Sequence, residues 1–131
     1  MIERLALALI LTIIGLALYR LWVARQKRTA PADPLLTGLQ PGVPAVVYFT
    51  TPHCLPCKTV QAPALAKLEG DLGVQVVRID ATEQPEDAAR WGVLTAPTTF
   101  IIDGRGKTSA VNNGVADFHT LKRQIQAAMS A

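Results

Sequence analysis

The chain has 131 residues, half of them hydrophobic, with two cysteines and a formal charge of +3, which gives one domain of ordinary size plus an appendage. The positive charge is local: residues 1–32 carry Arg4, Arg20, Arg25, Lys27 and Arg28 against Glu3, and residues 33–131 carry eight basic against nine acidic residues. The near-neutral part shows no basic face interleaved with aromatics, which argues against nucleic acid as a partner.

Leu5 to Tyr19 is an uncharged apolar run, LALALILTIIGLALY. At about 1.5 Å per residue it covers about 22 Å, short of the ~30 Å hydrocarbon layer. The run resumes after Arg20 as Leu21-Trp22-Val23-Ala24. With Arg20 snorkelling to the headgroups and Trp22 in the interface, residues 1–24 suffice for a membrane anchor. A cleaved signal peptide has an apolar region of similar length. Here, however, the basic residues mainly follow the run, and the cleavage-like Ala30-Pro31-Ala32 is separated from it by an Arg/Lys-rich stretch. A buried helix would carry a polar outer face, which this one lacks. An uncleaved single-pass anchor is the expectation. The basic residues downstream of the run outnumber those upstream, so the positive-inside rule favours a cytoplasmic domain, with the extracytoplasmic side as the alternative.

Residues 25–42 read as a basic, Pro/Gly-containing linker with little periodicity, in which Leu35 to Leu39 can form one helical turn. Residues 43–131 form the domain. Ala45–Thr50 reads as a central strand, apolar on both faces. It runs into Thr51-Pro52-His53-Cys54-Leu55-Pro56-Cys57, after which the pattern turns helical. The first turn of a helix presents unpaired N–H groups and the positive end of the dipole. A thiol there loses its proton more easily, and the thiolate is the nucleophile. A second thiol one turn further on can attack the resulting mixed disulfide. Cys54 and Cys57 therefore read as a dithiol–disulfide exchange site, Cys54 attacking and Cys57 resolving, with their own disulfide in place of a cofactor. Zinc requires four ligands, and only His53 and His119 accompany the thiols. Covalent haem attachment requires a histidine directly after the second cysteine, where Lys58 stands. Two thiolates suit copper(I), so a copper-binding or delivery module stays open. A purely structural disulfide across so short a loop would constrain the unfolded chain little.

A helix is predicted from Cys54 or Leu55 to about Glu69, with Val60, Ala64 and Leu68 on one stripe, a kink at Pro63, and Gly70 and Gly73 as its end. Val74–Asp80 reads as a second strand, parallel to the first through the helical crossover. Glu83 to Trp91 reads as a short helix closed by Gly92. Thr98–Ile102 and Lys107–Val111 form a hairpin across Asp103-Gly104-Arg105-Gly106, broken by Asn112-Asn113-Gly114. Asp117 caps a last helix with Phe118, Leu121, Ile125 and Met129 inward. The class is α/β, with a central mixed sheet flanked by helices.

Cys54-Leu55-Pro56-Cys57 after a strand, and Thr95-Ala96-Pro97-Thr98 before one, together resemble the thioredoxin family, whose cis-proline loop faces the cysteines. Order and spacing match from Tyr48 to Gly114, and more loosely from about Pro34 to the C-terminus. The resemblance implies a shortened thioredoxin-like fold, since the chain has no room for the family's first strand and helix. It implies exchange with protein thiols or disulfides and with a redox partner. It assigns Pro56 and Pro97 to active-site support, and the backbone of Ala96, with Pro97, to an extended substrate segment. His53 stands where thioredoxin has Trp; an imidazolium there can stabilise the Cys54 thiolate, or the residue is simply an exposed loop histidine. A non-catalytic interaction domain of this fold is a further alternative. Tethered members often work outside the cytoplasm, which opposes the charge rule. The chain departs from the family in three further places. Tyr48 replaces an acid six positions before the first cysteine. Val76 replaces the lysine facing that acid, and joint loss avoids stranding one buried charge. Pro63 lies one residue later than the family's helix proline.

Overall fold

The computed structural model of the protein describes residues 1–26 and 33–130. Lys27, Arg28 and the Ala30-Pro31-Ala32 stretch lie outside the described residues, as does Ala131. α1 spans Ile2–Gln26. Its 25 residues cover about 37 Å. It runs through Arg20 unbroken, is long and apolar enough to cross a bilayer, and buries none of its apolar window in the protein.

The sheet has the order β2-β1-β3-β4. β1 (Ala45–Thr50) pairs parallel with β2 (Gln75–Asp80) and antiparallel with β3 (Thr98–Ile102), which pairs antiparallel with β4 (Thr108–Asn113). β1 is apolar on both faces because successive side chains enter two different cores. Val46 and Tyr48 join a cluster with Cys54, Cys57, Leu65, Leu68, Leu121 and Ile125. Val47 and Phe49 join another with Leu36, Ala88, Trp91, Phe100 and Ile102. In the second, Trp91 meets Phe100 edge-on at 4.9 Å between ring centroids, with Phe49 beside both. α2 (Ala62–Leu72) and α4 (Phe118–Met129) contribute to the first core, and α3 (Pro85–Arg90) to the second.

The helix after the cysteines differs from its predicted register. It opens at Leu55, widens into a π-turn over Cys57–Gln61, and continues as α2. In the π-turn the Ala62 N–H reaches the Cys57 carbonyl, five residues back. Pro63 explains the widening: it has no N–H to donate, and in a tight α-turn its ring presses on the carbonyl four residues earlier. The extra residue rotates the inward stripe to Gln61, Leu65 and Leu68, leaving Val60 exposed and Ala64 partly buried. Gly70 lies inside α2, and Gly73 alone ends it, with φ +64° in a left-handed C-cap. At the other end of the domain β4 extends to Asn113. There the Asn112 amide donates to Thr99 Oγ1 at 3.0 Å and exchanges hydrogen bonds with Gln124. In α4 the inward residues are Leu121, Ile125 and Ala128; Met129 faces solvent.

Residues 33–42, read from sequence as linker, cover the second core. Leu36 is buried there, with Leu35 and Leu39 packed against it. Asp33 N-caps the turn Pro34–Leu36 by accepting from the Leu35 N–H at 3.0 Å. Its carboxylate also accepts both Nε and Nη2 of Arg90, at 2.9 and 3.0 Å. Hydrogen bonds from Arg90 hold the Asp33 carboxyl below its ordinary value of 3.8, against the opposing effect of burial and with help from the Leu35 N–H. A depressed carboxyl pKa contributes stability that is present above the unfolded value and lost as pH falls through the folded one. The Asp33 side chain is 6% exposed and Arg90 42% exposed, so solvent screening weakens the pair. Asn caps a turn as well as Asp. Asp33→Asn is therefore expected to keep the cap and to remove the charge together with one of the two Arg90 hydrogen bonds, costing about 1 kcal/mol at pH 7. The gap between the two denaturation midpoints should close steadily as pH is lowered below 3.8; a gap independent of pH would show that the ion pair does not stabilise the domain.

Candidate active site

The turn between β1 and the helix carries both cysteines, joined in a disulfide with Cα atoms 5.3 Å apart. Cys54 N–H donates to the Thr51 carbonyl at 3.3 Å, closing the turn. Pro56, at φ −61°, occupies the first helical turn, where a missing N–H costs nothing. The Cys57 N–H donates to Cys54 Sγ at 3.2 Å. This is an orphan donor of the helix start aimed at the first sulfur. The two sulfurs are unequal: Cys54 is 9% exposed and Cys57 is 1% exposed. An attacking group reaches Cys54 first, and the hydrogen bond already in place stabilises negative charge on that atom.

The second motif enters from β3. The Ala96–Pro97 peptide bond is cis. Ala96 packs against the core cluster that contains Cys54 and Cys57. The Pro97 carbonyl accepts from the Gly114 N–H at 2.9 Å, tying the proline loop to the segment after β4. Register places these loops at one end of the sheet, since Phe49 stands opposite Thr98, and Thr98 opposite Asn113. His53 is exposed on the cysteine turn. His119 lies on α4, its ring 5.5 Å from that of Phe118. Among the described residues no three His, Cys, Asp or Glu side chains form a group able to hold a metal ion.

Two residues beside the disulfide escape a reading of the sequence. Tyr48, visible there only as a missing acid, is buried, and its hydroxyl donates to the Cys57 carbonyl at 3.1 Å. The available signal is the residue type: a tyrosine in a buried strand needs a partner for its hydroxyl. Its neighbour on β2 is Arg78, while Val76 stands opposite Val46. Arg78 pairs with Glu69 at the surface, and it lines one groove with Tyr48, Cys57, Lys58 and Asp80. The other residue is Gln61, which closes the π-turn and is fully buried.

The thioredoxin family model matches residues 39–127, the greater part of the domain. The chain belongs to the thioredoxin family. It is 38% identical over 56 residues to thioredoxin of Bacillus subtilis (strain 168), covering 41% of this chain and 53% of that one. It is 30% identical over 90 residues to thioredoxin M4, chloroplastic, of Arabidopsis thaliana, covering 67% of this chain and 46% of that one. The chain thus spans about half the length of these curated relatives. Mitochondrial thioredoxin 3 of Saccharomyces cerevisiae, solved in its oxidized form, superposes with a TM-score of 0.59 at 28% identity, over 67% of this chain and 80% of that one. Shared fold, paired cysteines and disulfide make this a redox-type thioredoxin-family protein.

Tyr48 gives a direct test of the site's interior. Tyr48→Phe keeps the ring and removes one hydrogen bond, for an expected loss of about 0.5–1.5 kcal/mol. Tyr48→Asp places an unpaired carboxylate in the same buried position and is expected to cost at least about 1–3 kcal/mol. Urea denaturation of the three proteins gives the order; an Asp variant as stable as the parent would place position 48 in solvent.

Proposed function

We propose that this protein is a membrane-tethered thiol–disulfide oxidoreductase that exchanges its Cys54–Cys57 pair with protein thiols and with a redox partner, using no cofactor beyond that disulfide. The carrying observation is the inequality of the sulfurs: Cys54 meets the surface and accepts the Cys57 N–H, while Cys57 is enclosed. In the oxidised protein a partner thiolate attacks Cys54 Sγ; the Cys54–Cys57 bond breaks and Cys57 leaves as the thiolate. A second partner thiolate then attacks the partner sulfur of the mixed disulfide. The partner leaves oxidised by two electrons, and Cys54 and Cys57 remain as the reduced pair. The reverse sequence reduces a partner disulfide, with Cys57 as the resolving thiol.

Leu55, Leu94 and Val115 support a protein as the partner. All three are exposed apolar side chains, and they sit on the cysteine turn, the segment leading to Pro97, and the segment after β4. Ala96 and Pro97 lie between the first and last of these and are assigned to backbone pairing with an extended partner segment. His53 is assigned to support of the Cys54 thiolate. α1 is assigned as the anchor, and the basic residues following its apolar run orient the domain to the cytoplasm.

Two experiments test this reading. Cys57→Ser should hold partners in a stable mixed disulfide, visible on non-reducing gels, because the first bond forms and intramolecular release is blocked. Cys54→Ser should trap almost none, its remaining thiol being enclosed. Equal trapping by both variants would overturn the assignment of the nucleophile; no trapping by either, with stoichiometric copper(I) binding lost from both, would replace exchange by metal carriage. For topology, a reporter fused to the C-terminus should be active in the cytoplasm and the protein should resist carbonate extraction. Activity of a reporter that folds only outside the cytoplasm would reverse the orientation.

A further inference from the structure

The extra residue between Cys57 and Pro63 is housed in the π-turn Cys57–Gln61, and Gln61 closes that turn. Single π-turns within helices frequently lie at functional sites. Gln61 is fully buried, so both ends of its amide need partners. It finds them on one residue 55 positions away: Nε2 donates to the Ala116 carbonyl at 3.1 Å, and Oε1 accepts the Ala116 N–H at 2.9 Å. A flipped amide would set donor against donor, so the Ala116 backbone fixes its orientation. Ala116 belongs to the buried cluster of Cys54 and Cys57. Two residues earlier, Gly114 donates to the Pro97 carbonyl at 2.9 Å. Covalent and hydrogen bonds thus run from Cys57 through the π-turn and Gln61 to Ala116, and on through Gly114 to the cis-proline. Val115 lies between the two anchors, with its side chain exposed.

We propose that Gln61 is a positioning residue for protein partners: by gripping Ala116 it sets where Val115 stands beside the disulfide. This rests on the exchange reading above. A small dithiol needs only to reach Cys54 Sγ. A protein partner must also lie against Leu55, Ala96 and Val115 together. Loss of the grip therefore weakens docking and leaves the sulfur chemistry intact, whereas a general loss of structure impairs both.

The test uses Gln61→Met in the full chain, a substitution of similar length that removes both hydrogen bonds. Two rates are compared: reduction of the Cys54–Cys57 disulfide by dithiothreitol, and reduction of insulin by the pre-reduced protein. The expected result is a dithiothreitol rate within about twofold of the parent, with the insulin concentration that half-saturates the single-turnover rate raised at least about fivefold and the limiting rate little changed. Equal loss on both substrates, or no loss on either, overturns the role of Gln61 alone. A parent protein that reacts with dithiothreitol and not with insulin overturns the exchange reading and this one with it. Should Gln61→Met fail to fold, hydrogen exchange in the parent decides: the Ala116 amide is expected to be protected like the amides of β1, and exchange at the rate of an open loop would refute the grip.

Discussion

The hydrogen bond from the Cys57 N–H to Cys54 Sγ, at 3.2 Å, is the constraint on which the rest of the structure depends. It requires a helix to begin within a few residues of a strand end, so that an unpaired helical N–H faces the first cysteine. It also requires the strand to be immobile. β1 meets that need by being paired on both edges and buried on both faces. The two cores divide the work between them. One encloses Cys57, and the other holds β1 from behind through Phe49, Trp91 and Phe100. Because helix start and sulfur are adjacent in sequence, the asymmetry of the two thiols is built into local geometry and needs no distant charged group.

That locality explains what the sequence disclosed. The C-x-x-C turn and the apolar strands Ala45–Thr50 and Thr98–Ile102 are each specified within a few residues, the Ala96–Pro97 cis bond is implied by the family resemblance, and the structure has all of them. What stays hidden depends on contacts far apart in the chain. Leu36 reads as linker because nothing near it shows that Arg90, 57 residues from Asp33, pins that carboxylate. The stripe Val60-Ala64-Leu68 misses the true inward face because a helical period assumes about 3.6 residues per turn, and the π-turn breaks that count. Pro63 is the local trace of that widening. Only the fold shows that the π-turn carries a buried amide to Ala116.

Two buried polar side chains near the disulfide follow one rule. Tyr48 and Gln61 each answer backbone groups: Tyr48 the Cys57 carbonyl, Gln61 both groups of Ala116. Neutral side chains bonded to backbone avoid the several kcal/mol that burying an uncompensated charge costs. Tyr48 and Gln61 orient the backbone there without adding an ionised group.

The same contacts also account for how the domain manages without a full set of elements. Between residue 33 and β1 the described chain holds only the turn Pro34–Leu36, so the sheet begins at β1 and β2 is an edge strand. An open edge invites pairing with other chains, and charged side chains discourage it; Arg78, half exposed and paired with Glu69, is such a group on β2. The turn fills the other gap by placing Leu36 in the second core. Its anchor, Arg90, is the last residue of α3. Trp91 follows, buried in that core, and the chain then runs through Leu94 to Ala96 and Pro97. The ion pair that fastens the start of the domain thus also fixes the origin of the loop facing the cysteines. A domain with fewer elements keeps its proline loop in place by making one contact serve both ends.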